Sequence, residues 1–437
     1  MTAEEIRQID ALIRREVVPA TGCTEPVCVA LAVAYASSLI SNQIQSIEVQ
    51  LSPNMLKNAM GVGIPGTGMI GVPIAIALGA EIKEPKRGLE ILDNLSEETL
   101  QAAKSLVDKG IITVACTTES NIDKLYVRVC ITDIEGHQSI SVIDKTHQGI
   151  SLLTLDGISY LETYKNETVC SAQIESKGGT VEQDIQLTFD LVYDYATTAP
   201  LELLTFIYEA AQQNKTVSEY SLSRKYGHGV GKLLQSPQGQ YFIGNSPMAK
   251  MLMYTSGACD ARMDGAPLMV MSNSGSGNQG ITATLPILSF AEAEGKGLEE
   301  TTRALMMSSL MVVYIKQLLG RLSCLCGMVV SGIGTSAALV YLLGGNKEQS
   351  SYAIQNMVGN VTGMICDGAK PSCSLKASTG VSSAMISALL AMEDERCSSL
   401  EGIVANDVDQ SISNLALIGR DGMAETDLRI LNVMTNK

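Results

Sequence analysis

Residues 4–18 place apolar side chains at helical spacing between charged ones, and the turn Pro19-Ala-Thr-Gly22 ends that run. Cys23-Thr-Glu-Pro26 then opens a second, apolar helix over roughly 25–40. Thr24 suits the N-cap and Pro26 the first turn. This puts Cys23 at a helix N-terminus, where the dipole is expected to lower a thiol pKa. From about residue 44 the period changes. Ile47, Val49 and Leu51 share one face of an alternating stretch, as in a half-buried strand. Segments 111–117, 124–133, 138–144 and 184–195 read the same way, with Gly136 at a turn, and helical segments at 68–80 and 98–109 lie between them. Residues 44–197 are therefore expected to form a two-layer α/β domain with a mixed or antiparallel sheet.

Beyond residue 198 the strand pattern disappears. Apolar-periodic segments at 200–213, 217–235, 246–258, 280–294, 300–319, 327–343, 350–363, 379–392 and 402–418 alternate with Gly/Ser/Asn loops. The fold class expected is α+β. N-terminal helices over 1–43 should pack on a large all-α domain over 198–437, with the α/β domain 44–197 between them. A chain of 437 residues is long enough for such a multi-domain core. One stretch, Leu322 to Asn346, holds no charge and is long enough to cross a bilayer. Gly327, Gly332, Gly334, Gly344 and Gly345 interrupt it, so it reads as a buried core helix and not a membrane span.

Composition narrows the function. Aromatics make up 4% with no Trp, so packing rests on Ala, Leu, Ile, Val and 20 Met. The net charge of −15 argues against nucleic acid and against an anionic membrane surface, both of which need a basic footprint. Eleven scattered cysteines, an odd number in a long chain, do not suit a secreted disulfide scaffold. No signal-peptide pattern opens the sequence, so a reducing, cytoplasmic location is expected.

Three late thiols stand out. Cys366 and Cys373 bracket the turn Cys366-Asp-Gly-Ala-Lys-Pro-Ser-Cys373, and Cys326 precedes Cys366 by 40 positions. Such a set can hold a metal or an iron–sulfur cluster, and three thiolates on four irons leave one iron open. A structural zinc site would show paired C-x₂₋₄-C knuckles, and none is present. Cys28, Cys116, Cys130, Cys170, Cys259 and Cys397 read as small core hydrophobes. The loop Asn273-Ser-Gly-Ser-Gly-Asn278 opens an apolar helix, and its N–H groups can form a nest for a small carboxylate. It lacks the Lys of a P-loop and the clear strand before a dinucleotide turn. Read as a plain helix–helix connection, it carries no chemistry. Ser52–Asn58 and Ile64–Gly68, with Lys57 and Thr67, offer further donors to a carboxylate or form an ordinary βα connection. His137, His147 and His228 make no recognisable catalytic set.

Taken jointly, Thr21-Gly22-Cys23-Thr24-Glu25-Pro26, Lys57-Asn58, Ile64-Pro65-Gly66-Thr67, Ser274–Gly280, Cys326, Cys366-Asp-Gly-Ala-Lys370 and Cys373 resemble the L-cysteine desulfidase family, related to the iron–sulfur serine dehydratase α chain. The resemblance runs over essentially the whole length, and the late-cysteine spacing favours the desulfidase branch. It implies a [4Fe–4S] cluster held by Cys326, Cys366 and Cys373, with Cys23 as fourth ligand or catalytic base. It implies no pyridoxal phosphate, and Cys324 is outside the pattern. The implied substrate is a small L-amino acid, contacted by Asn273, Ser274, Gly275, Ser276, Gly277, Asn278, Lys57 and Thr67. Open iron polarises it, a base removes the Cα proton, and sulfide leaves Cβ. The resulting aminoacrylate hydrolyses to pyruvate and ammonia. L-serine dehydration by the same route is the alternative, because one β-sulfur against one β-oxygen is a pocket-level difference. A non-catalytic amino-acid or metal-binding protein, and a zinc hydrolase on the same thiols, are further alternatives. The apolar helices also admit a homodimer.

Overall fold

The computed structural model describes residues 1–117, 122–165 and 184–436. Helix α1 (Ala3–Glu16) starts in a capping box, in which Thr2 accepts from the Glu5 N–H and Glu5 reaches back to the Thr2 N–H. The short strand β1 (Pro19–Thr21) leads into α2 (Thr24–Ser38). The sheet runs in the order β3 (Ile112–Cys116), β2 (Ile44–Leu51), β4 (Tyr126–Asp133), β5 (Gln138–Asp144), β6 (Ile150–Leu155), β7 (Ile158–Ser159). β2 and β3 are parallel and the other neighbours antiparallel, so the sheet is mixed. In β4, Val127, Val129 and Ile131 point inward and Arg128, Cys130 and Thr132 outward. Between β2 and β3 come α3 (Pro53–Ala59), α4 (Val72–Ile82) and α5 (Glu97–Asp108). The inward face is covered by α2, which packs on α4 so closely that a Cβ on Gly79 would strike the Ala30 carbonyl.

The helical region comprises α6 (Phe189–Thr198), α7 (Leu201–Leu222), α8 (Val230–Gln235), α9 (Pro237–Ile243), α10 (Pro247–Met263), α11 (Gly277–Glu294), α12 (Leu298–Leu319), α13 (Gly327–Leu342), α14 (Lys347–Val361), α15 (Cys373–Met392), α16 (Val408–Leu417) and α17 (Ala424–Thr435). At its centre α13 is buried along nearly all its length, against α11, α12, α14 and α15. This is the uncharged stretch of the sequence, and its glycines let neighbours approach: a Cβ on Gly334 would meet the Ser308 carbonyl. Among the described residues one helix, α15, has the length and hydropathy to cross a membrane. It buries one face in the core and exposes Leu375, Ile386, Leu389 and Leu390 on the other.

Several expectations are corrected. α1 packs on the helical core through Ile9, Leu12 and Ile13; α2 meets that region at its start, where Thr24 donates to the Gly275 carbonyl, and is otherwise buried in the sheet layer, because a helix apolar on every side needs partners on every side. Segment 184–195 is not a strand. Thr188 caps α6, and Phe189, Val192, Tyr195 and Ala196 bury a helical face; Leu187, Phe189 and Leu191 only imitate alternation. The expected helix 217–235 is broken, with Gly227 and Gly229 at positive φ between α7 and α8. Strand β8 (Met269–Met271) lies inside the region read as all-α, paired antiparallel with β1. Cys28 and Cys259 are buried, Cys116, Cys130 and Cys397 half-buried, and Cys170 lies outside the described residues.

Candidate active site

Four helices begin around one point. Cys23 is the N-cap of α2, Ser276 that of α11 and Cys326 that of α13, while Cys373 is the first residue of α15. Each N-terminus turns the positive end of a helix dipole toward that point. Between them lies a pocket of about 100 Å³ that opens to solvent. Cys23, Cys326, Cys366 and Cys373 all line it, with Ser274, Gly275, Ser276 and Asn278.

Backbone pairing brings the late thiols together. The Cys326 N–H donates to the Met364 carbonyl at 3.0 Å and the Cys366 N–H to the Cys324 carbonyl at 2.6 Å, with Leu325 facing Ile365 in an antiparallel bridge. Lys370 and Lys376 both grip Asp367 inside the Cys366–Cys373 turn. Burial works to raise that carboxyl, but the two lysines hold it down at about 2. Gly368, at φ +89°, lies directly on α3, where a Cβ would strike the Lys57 carbonyl.

Burial pushes the Cys23 thiol up to about 12; Arg262 opposes this, and Glu25 and Cys373 add to it. Cys326 is also pushed up to about 12, by burial and then by Cys366 and Cys373. The lowering expected at Cys23 is thus reversed, because a helix end offers less than full burial of a thiolate costs.

The remaining walls carry charge that sequence reading missed. Arg262, Lys316 and Arg321 supply cations, Glu25 a carboxylate and His147 an imidazole. The Glu25 carboxylate accepts from Asn58 Nδ2 at 3.0 Å and Thr24 Oγ1 at 3.2 Å. Burial draws Lys316 down to about 8. Arg321 pairs with Glu16 at 3.0 Å. His147 comes from the turn between β5 and β6, is 8% exposed, and among the described residues its Nε2 has no hydrogen-bond partner. Burial keeps it neutral below its usual range, Glu25 opposing and Arg321 assisting. These residues are far apart in sequence and belong to no motif, so only Glu25 and Asn58, inside quoted segments, carried a signal.

Four expected contacts lie elsewhere. Lys57 is buried against Asp427 and the Cys366 carbonyl. Thr67 closes its own turn, donating to the Ile64 carbonyl at 2.8 Å. Asn273 holds the loop by donating to the Ser309 carbonyl at 3.0 Å and accepting from Ser274 Oγ at 2.9 Å. Gly277 makes room for the Arg262 side chain. The loop itself turns through Ser274 and Gly275, at φ +48° and +82°.

The sequence profile of the serine dehydratase alpha chain matches residues 86–432. The chain belongs to that family. It is 55% identical over 432 residues to a UPF0597 protein of Porphyromonas gingivalis, covering 99% of this chain and 98% of the relative. A UPF0597 protein of Parabacteroides distasonis is 51% identical, covering 98% of each. One from Oleidesulfovibrio alaskensis is 43% identical, covering 99% of this chain and 98% of its own. Membership points to an amino-acid lyase with an iron–sulfur-related role.

Proposed function

We propose that this chain is an iron–sulfur lyase that removes the β-substituent of a small L-amino acid, releasing sulfide from L-cysteine with pyruvate and ammonia. One observation carries the reading: four cysteines from distant parts of the chain line one pocket, ringed by helix N-termini.

The donor set suits a cluster. Cys326, Cys366 and Cys373 line one pocket, three thiols of the kind that hold a four-iron cluster. Held by Cys326, Cys366 and Cys373, a [4Fe–4S] cluster would supply an open iron as Lewis acid. Loss of thiol protons would accompany its binding.

The chain's own residues complement an amino-acid zwitterion. Arg262, Lys316, Arg321 and the N–H groups opening α11 attract the carboxylate. Glu25 faces the ammonium group. His147 Nε2, neutral and without a hydrogen-bond partner among the described residues, is poised to accept the Cα proton. Cys23, held protonated by burial in the metal-free chain, would act as proton donor to the leaving group or, once deprotonated, as fourth ligand. The family's name speaks for L-serine, the alternative substrate by the same route. Anaerobic purification, an iron assay and parallel turnover of L-cysteine and L-serine test the reading; an iron-free chain inert toward both would sink it.

A further inference from the structure

Lys57 is 1% exposed and does not line the pocket. Its ammonium donates to Asp427 on α17 and to the Cys366 carbonyl, the latter at 3.0 Å. The other Asp427 oxygen accepts from Asn54 Nδ2 at 3.0 Å. The Cys324 thiol faces the same carboxylate. Helix α3, the C-terminal helix α17 and both late-cysteine loops therefore meet at one buried ion pair. Burying two charges is costly, and an apolar pair of similar volume holds a fold as well or better. Stability does not explain the pair. What an apolar pair cannot do is grip a carbonyl, and Lys57 grips that of Cys366.

We propose that Lys57 and Asp427 are positioning residues that lock the Cys366 peptide with its thiol facing the pocket, making α17 a clasp on the thiol site. The proposal rests on the pocket being the iron–sulfur site argued above. The two residues act through Cys366, and the seat of Gly368 on the Lys57 carbonyl anchors the same turn.

The test uses Lys57→Met/Asp427→Leu, which removes both charges and keeps volume, and the milder Asp427→Asn. In the reduced, metal-free chain, iodoacetamide alkylation of Cys366 is followed by mass spectrometry, with the buried Cys28 and Cys259 as internal controls. Iron and labile sulfide per chain are measured after anaerobic reconstitution. Cys366 alkylation is expected to rise about tenfold, the effect of losing ~1.4 kcal/mol of restraint. Cys28 and Cys259 should stay protected and iron loading should fall. Unchanged Cys366 alkylation in both variants overturns the clasp. So does a parallel rise at the control thiols in both variants, which marks general loosening. A wild-type chain that takes up no iron overturns the iron–sulfur reading, while the alkylation result still judges the clasp.

Discussion

Arg262, in the last turn of α10, donates to the Gly22 carbonyl at 2.9 Å, 240 positions away in sequence, and its guanidinium stands against the Cys23 thiol. Its positive charge opposes the effect of burial on that thiol, while Glu25 and Cys373 add to it. Gly277 leaves it room. Arg262→Gln should therefore raise the Cys23 pKa further and slow its alkylation at pH 8–9. A shift of one pKa unit corresponds to about tenfold. An unchanged rate would mean that the guanidinium does not act on the thiol.

Lys316 is expected to hold the substrate carboxylate. Lys316→Gln should raise KM for the amino acid about 10- to 100-fold, the range of a charge-assisted hydrogen bond worth ~1.5–3 kcal/mol. Iron content should stay at the wild-type level. Steady-state kinetics with an iron assay on the same sample separate a binding defect from a lost site.

His147 is expected to carry the Cα proton. His147→Asn should lower kcat by about 10²- to 10⁴-fold with little change in KM or iron. Because burial lowers its pKa from 6.5, the wild-type rate should persist below pH 6.5 before falling. Loss of that acid limb in His147→Asn, read from a pH–rate profile, identifies the group. A variant with the full rate and the same profile excludes it.

The buried thiols make the metal-free chain sensitive to alkali. The Cys23 and Cys326 pKa values lie near 12 in the fold, against 9.0 when exposed. Raised values mean that the folded chain keeps protons the unfolded chain releases. This stability is fully present below pH 9 and is lost as pH rises toward 12. Melting temperature against pH should fall over that window, and less steeply for Cys23→Ala.

Much of this site was legible in the chain. Cys326, Cys366, Cys373 and Cys23 carry spacing and turn signals, and the structure brings them to one pocket because helix N-termini and a short antiparallel pairing gather them. The sheet strands β2, β4 and β5 followed from alternation. What stayed hidden depends on tertiary contact. Lys57 sits in a segment that suggests anion binding, yet its partner Asp427 is 370 positions away. His147, in a region of strand pattern and in no recognisable catalytic set, carries no signal until the fold brings it beside Thr24 and Glu25 at the start of α2. The alternation of Leu187, Phe189 and Leu191 imitates a strand where α6 forms, while its cap Thr188 decides the local geometry.

The most direct test of cluster-dependent elimination is one anaerobic preparation of wild type and Cys366→Ser, assayed for iron, visible absorption, and sulfide and pyruvate released from L-cysteine. Wild type should be brown with about four irons per chain and should form both products, and Cys366→Ser should lose cluster and turnover together. A colourless, iron-free wild type, or a Cys366→Ser chain with undiminished turnover, would contradict the account.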